Sequence, residues 1–234
     1  MSGKSLWLWM FTVIGLTPWA CPAAGTGTVQ TVLCIGDSIT EWDRGWVKWV
    51  GQNGQIDTIN AGKGGRQTAA AVETFQKAAA SNQPFDRVIF FLGVNDLPGR
   101  NPLPADKKVA ACVKSMGQAL DLALARLPPK DVILLAPCSV NAEVMRQPSQ
   151  TDPTMTARRE RNVKKGYDIC PPILEDLETA YRKLAAEKGV PFLSLLNVVS
   201  PDNFPDGLHP SEAGQRQIAD VIIPFLLKNQ GTGK

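Results

Sequence analysis

A single histidine, His209, occurs in the 234-residue sequence, so any imidazole chemistry falls on one position. Asp206 stands three residues before it, in the run Asp206-Gly207-Leu208-His209-Pro210. A carboxylate this close on the same loop can hold the ring in one tautomer and stabilise its protonated form. An imidazole held in this way can act as a base toward a serine hydroxyl, which is a poor nucleophile near neutral pH until its proton is taken. Ser38 lies in Gly36-Asp37-Ser38-Ile39-Thr40, directly after an apolar run, and Asn95 lies in Gly93-Val94-Asn95-Asp96 after another. Taken singly these runs are weak signals. Gly-Asp-Ser is an ordinary turn, Asp206 could serve only the turn before Gly207, and a histidine beside Pro210 can simply open a helix.

The elements that must bring them together alternate in type. Val29 to Ile35, Asp57 to Asn60, Arg87 to Gly93, Asp131 to Ala136 and Pro191 to Leu196 read as strands. The third is a continuous apolar run, the kind a sheet buries on both faces. Helices are expected over Gly45 to Gly51, Gln67 to Ala80, Lys107 to Leu127, Ile173 to Lys188 and Ser211 to Leu227; the third stops at Pro128-Pro129 and the fourth at Gly189. Five strands alternating with helices imply an α/β fold in which helices cover both faces of a parallel sheet. Ligands of such sheets bind at the carboxyl ends of the strands, where Ser38, Asn95 and the Asp206–His209 run all fall.

Together the three runs resemble the SGNH, or GDSL-type, serine hydrolases, and the resemblance extends from Ser38 to His209, with Arg87 to Asp96 and the fourth strand resembling the arylesterase and acyltransferase branch. It implies a three-layer α/β/α sandwich around a central five-stranded parallel sheet, flavodoxin-like in type. It also implies carboxylic ester chemistry through an acyl-serine intermediate, with Ser38, Asp206 and His209 catalytic and neither a metal nor an organic cofactor. Oxyanion donors would be the Ser38 backbone N–H, the Asn95 side-chain amide and a glycine N–H from the second block, Asn60-Ala61-Gly62-Lys63-Gly64-Gly65-Arg66-Gln67-Thr68. Spacing after Asn60 favours Gly65, with Gly62 as the alternative. The same block could cradle a phosphate, but it lacks the Gly-Lys-Ser/Thr ending of a nucleotide loop. Asp37 and Asp96 read as turn-bonding carboxylates; the rival for Asp37 is a phosphate-accepting or metal-binding acid. Carbohydrate O-acetyl ester hydrolysis and a non-catalytic saccharide-binding module are the alternative functions, since a fold does not name its substrate.

The resemblance implies a small-molecule or saccharide ester as partner, and composition argues against other classes. A net charge of +3 supplies too little basic surface for nucleic acid. One histidine excludes histidine-rich metal sites. Residues 1–24, with Lys4, the apolar run Leu6 to Leu16 and a small-residue stretch, read as a signal peptide cut after Ala23 or Ala20; the hydrolase domain would then occupy 25–234. A secreted or periplasmic location follows, without stable membrane insertion; an uncleaved anchor or a lipoprotein is the alternative.

Four features are left open. Residues 137–172 are expected to be irregular and lid-like. Cys138 and Cys170, which bracket them, are candidates for a disulfide, against buried thiols. Arg158, Arg159, Arg161, Lys164 and Lys165, offset by Glu160 and Asp168, read as a solvated helix face, with contact to an anionic substrate as the alternative. Trp42, Trp46 and Trp49 share helical spacing, which suggests core packing or an aromatic wall beside Ser38.

Overall fold

The computed structural model describes residues 29–228. Strands β1 (Gln30–Gly36), β3 (Arg87–Phe91) and β4 (Val132–Ala136) form the middle of one parallel sheet, with β2 (Ile56–Gly62) and β5 (Phe192–Ser194) at its edges, in the order β2-β1-β3-β4-β5. β3 and β4 are buried along their whole length, as their unbroken apolar runs require.

Side chains alternate across the sheet and divide the core in two. Leu33, Ile35, Val88, Phe90, Val132 and Leu134 face α3 (Ala71–Ala79), α4 (Ala105–Leu124) and α7 (Pro171–Lys188). Val32, Cys34, Ile89, Phe91, Ile133 and Leu135 face α2 (Trp46–Gly51) and α8 (Glu212–Lys228). At the opposite end from the site, the buried Arg87 donates from Nε to Asp131 Oδ1 at 2.9 Å and from Nη1 to the Leu226 carbonyl at 2.8 Å, pinning β3 to the end of α8.

The strand order reverses between β1 and β3, the place where such sheets open a crevice. Register levels the strand ends there, because Gly36 pairs with both Gly62 and Phe91. The residues that follow all three strands therefore emerge side by side.

One expectation needs correction, and two readings left open are decided. Residues 137–172 are largely helical: α5 (Ala142–Arg146) and α6 (Pro153–Lys165) fill the segment before α7 begins. Asp152 caps α6 by accepting from Thr154 N, Pro153 occupies its first turn and Gly166 ends it with φ +80°. α6 carries many charges and no broad apolar stripe, so hydrophobic periodicity passes over it.

Cys138 and Cys170 are free buried thiols on opposite faces of the sheet and form no bridge. The tryptophans also divide. Trp46 is fully buried with its ring 6.1 Å from that of Phe91, and Trp49 lies under Arg216. Trp42 ends the single-turn helix α1 (Ser38–Glu41) in extended backbone, and so leaves the helical face that spacing suggested. The leader expected over 1–24 lies outside the described residues. Among the described residues no helix is long and apolar enough to cross a membrane.

Candidate active site

Ser38 opens α1 immediately after β1. Asp37 caps that turn: its Oδ1 accepts from Ile39 N at 3.0 Å and its carbonyl accepts from Thr40 N and Glu41 N. Gly36 allows the tight approach, since a Cβ there would stand 2.0 Å from Thr40 Oγ1. Gln215 of α8 holds the next bend by donating to the Ile39 carbonyl at 3.1 Å and accepting from Trp46 N at 3.0 Å. The serine hydroxyl thus projects from a short turn braced on both sides.

His209 and Asp206 reach it from the loop before α8. Ser38 Oγ lies 3.0 Å from His209 Nε2, and His209 Nδ1 lies 2.7 Å from Asp206 Oδ2. Asp206 Oδ1 accepts from Leu208 N at 2.9 Å and from His209 N at 2.7 Å. A carboxylate at Nδ1 selects the tautomer with hydrogen on Nδ1, which leaves Nε2 to accept from the serine. Burial alone would raise the Asp206 pKa; the hydrogen bond and charge of His209, with the two backbone donors, outweigh it and bring it down to about 2. Asp206 is therefore an anion wherever the imidazole is neutral enough to act as base.

Three N–H groups are the expected oxyanion donors: that of Ser38, that of Gly65, which lines a separate cavity with Lys63 and Arg66, and the Asn95 amide. Those of Ser38 and Gly65 have no acceptor within the described chain. Gly65 has φ +72° and open space where a side chain would stand. The alternative, Gly62, has its N–H committed to Asn60 Oδ1 at 2.9 Å, and a Cβ there would meet Glu41 N at 2.3 Å, so its role is close packing. Asn95 is buried; its Nδ2 donates to Asp37 Oδ2 and to the Arg66 carbonyl, both at 3.2 Å. The amide faces two acceptors at long range, and Tyr167 fixes that orientation by donating its hydroxyl to Asn95 Oδ1 at 2.5 Å.

The two other acids are structural, as expected of turn carboxylates. Full burial pushes Asp37 up to about 6, against the Ile39 N–H bond and the nearby His209. Asp96 accepts from Thr68 N and Oγ1, joining the second block to β3.

Motif reading missed several residues that brace the site. Arg66 Nη1 donates to the carbonyls of Gly36, at 2.9 Å, and of Ala61, tying together the ends of β1 and β2. Asn162 of α6 donates to the Asp206 carbonyl at 3.1 Å, and Arg159 to the Pro205 carbonyl at 2.9 Å. Arg66 had a local signal in its place inside the glycine-rich block, and Arg159 stood out only as part of the basic run; Asn162 had none.

A cleft of about 750 Å³ opens over Ser38 and His209, bordered by Trp42, Met155, Arg44 and Arg158. This size suits a small ligand. Among the described residues, burial raises the pKa of the four thiols and so disfavours the thiolate that a nucleophile needs. Among the described residues no group of three or more His, Cys, Asp or Glu side chains converges on a metal site.

Comparison with known proteins agrees with this architecture. Est24, a carbohydrate acetylesterase from Sinorhizobium meliloti, superposes with TM-score 0.62 at 19% identity over 85% of this chain and 99% of its own. A protein assigned as an arylesterase, from Agrobacterium tumefaciens str. C58, gives TM-score 0.62 at 22% identity over 85% and 99%. A lipase/acylhydrolase from Enterococcus faecalis gives 0.59 at 18% over 88% and 99%. No curated protein shows a significant sequence match. The model of the GDSL-like lipase/acylhydrolase family matches residues 34–217, a span that includes Ser38, Gly65, Asn95, Asp206 and His209 on this sheet, and the chain belongs to that family.

Proposed function

We propose that the protein hydrolyses carboxylic esters through an acyl-serine intermediate. Ser38 Oγ attacks the ester carbonyl as its proton passes to His209 Nε2, and the imidazolium is stabilised by Asp206. The tetrahedral oxyanion is received by the N–H groups of Ser38 and Gly65 and by Asn95 Nδ2, which turns from one of its long bonds to the developing charge. Collapse expels the alcohol, protonated by His209. Water, deprotonated by the same imidazole, then releases the acid and restores Ser38. The observation that carries this reading is the Ser38–His209–Asp206 chain, at 3.0 Å and 2.7 Å, with the Ser38 N–H left without an acceptor in the described chain.

Acetylated saccharides use the same chemistry, and the likeness to a carbohydrate acetylesterase makes them the second substrate set to test. Export by residues 1–24 would place the enzyme where such esters are met.

Hydrolysis of phenyl acetate as a function of pH tests the mechanism. The rate should rise with pH through one ionisation, because a protonated imidazole cannot act as base. His209→Ala should lose roughly 10⁴-fold in kcat together with that limb. A folded His209→Ala protein with an unchanged profile would refute the role given to the base.

A further inference from the structure

Arg158 and Arg161 of α6 are exposed and Lys165 is partly buried, yet the three are grouped on one side of the helix rather than spread around it. Arg158, Arg161 and Lys165 recur at i, i+3 and i+7, a single side of the helix, and Asn162 falls among them. With Asn162, Asp206 and His209 they line a cavity of about 240 Å³ that shares Arg158, Asp206 and His209 with the main cleft. The only acid of α6, Glu160, is off this side of the helix. Three like charges so close together repel one another. Arg161 and Lys165 have no side-chain hydrogen bond or ion pair within the described chain, and Arg158 acts only on the exposed Asp152 at the helix cap.

The cluster is also held in place. Asn162 donates to the Asp206 carbonyl, and Arg159 donates to the carbonyls of Pro205, at 2.9 Å, and Gln147, at 3.2 Å. These bonds fasten α6 to the loop that carries His209, so the helix that bears the three cations keeps a fixed position relative to the imidazole. The one acid in this cavity, Asp206, is already satisfied by His209 and two backbone donors. By contrast the main cleft balances Arg44 and Arg158 with Glu41 and Asp43.

Position decides which half of an ester would meet this charge. His209 must return its proton to the departing oxygen, so the alcohol half lies on the histidine side. The basic cavity contains His209 but not Ser38, whereas the main cleft contains both. We infer that Arg158, Arg161 and Lys165 form a subsite for an anionic group, carboxylate or phosphate, on the alcohol half of the substrate. Guanidinium groups suit this task because their forked donors match both anions. The inference rests on the ester hydrolase reading and narrows its substrates to acidic ones.

Three phenyl esters test it. Phenyl acetate is neutral, 3-acetoxybenzoate carries a carboxylate on the alcohol half, and phenyl hemisuccinate carries one on the acyl half. In the Arg161→Gln/Lys165→Gln variant, the ratio of kcat/KM for 3-acetoxybenzoate over phenyl acetate should fall about fivefold or more. Raising the salt concentration should shrink the same ratio in the unaltered protein. An unchanged ratio would overturn the subsite, and a fall confined to phenyl hemisuccinate would overturn its assignment to the alcohol half.

Binding gives a readout that needs no turnover. His209 supplies the sole imidazole signal in an NMR spectrum. Titrated 3-hydroxybenzoate should shift that signal, and phenol at equal concentration should shift it far less. The double variant should weaken the 3-hydroxybenzoate titration. If no ester is cleaved but the titration behaves in this way, the ester reading fails and the anion site stands; if the titration is the same in the double variant, the anion site fails on its own.

Discussion

Asp206 uses its two oxygens for different tasks: Oδ2 takes the imidazole Nδ1, while Oδ1 takes the N–H groups of Leu208 and His209 that shape the loop. Asn95 is divided in the same way, with its carbonyl oxygen held by Tyr167 and its amide left facing Asp37 and Arg66. Tyr167→Phe removes the only donor to Asn95 Oδ1 among the described residues and frees the amide to rotate. We expect kcat to fall about tenfold with little change in KM, because an oxyanion donor acts mainly in the transition state. Asn95→Ala should cost roughly 10²-fold or more. The decisive comparison is the double variant, in which Tyr167→Phe should add almost nothing to Asn95→Ala; independent, multiplying losses would mean that Tyr167 acts elsewhere. Ser38, Asn95, Asp206 and His209 were legible because each lies in a short run at a strand end or a helix entry. Tyr167, 72 residues from Asn95 in the chain, had no such marker, since only the folded chain brings the two together.

At the scale of elements, the turn from Asp206 to His209 depends on Gly207. Its φ is +79°, and a Cβ there would stand 2.2 Å from Met145 Cγ and 2.6 Å from the Asn141 carbonyl oxygen, so the turn is pressed against α5. Gly54 has the same φ of +79° with open space around it. Gly54→Ala should therefore cost only the left-handed backbone penalty, about 1 kcal/mol, with activity retained. Gly207→Ala should cost about 2 to 4 kcal/mol and displace His209, lowering kcat sharply. Urea unfolding and esterase assays of the two variants check this, and equal behaviour would show that α5 does not clamp the turn. The strands could be read from sequence because unbroken apolar runs have few other uses. α5 and α6 could not: α5 is only five residues long, and α6 is held by caps and by polar bonds to the Pro205–Asp206 backbone rather than by an apolar stripe.

For the whole molecule, the site imposes a pH dependence on folding. Asp37 titrates near 6 in the folded protein because burial raises it, above the usual unfolded value of about 3.9. Its contribution to stability is thus complete below about pH 4 and is lost as the pH rises through about 6. Asp206, brought down to about 2, acts in the opposite sense: its contribution is present above about pH 4 and is lost as the pH falls toward 2. Urea unfolding of the unaltered protein and of Asp37→Asn at several pH values separates the two. The variant should lack the decline between pH 4 and 7, at most about 3 kcal/mol, and keep the loss in acid; identical slopes would assign the decline to another group. The central claim, that Ser38 is the nucleophile of a carboxylic ester hydrolase, is tested most directly by reaction with a fluorophosphonate followed by intact-mass measurement and peptide mapping. One adduct located on Ser38, absent from a Ser38→Ala protein that remains folded, is the predicted result. An adduct on another residue, or labelling that persists in the folded Ser38→Ala protein, would contradict the account.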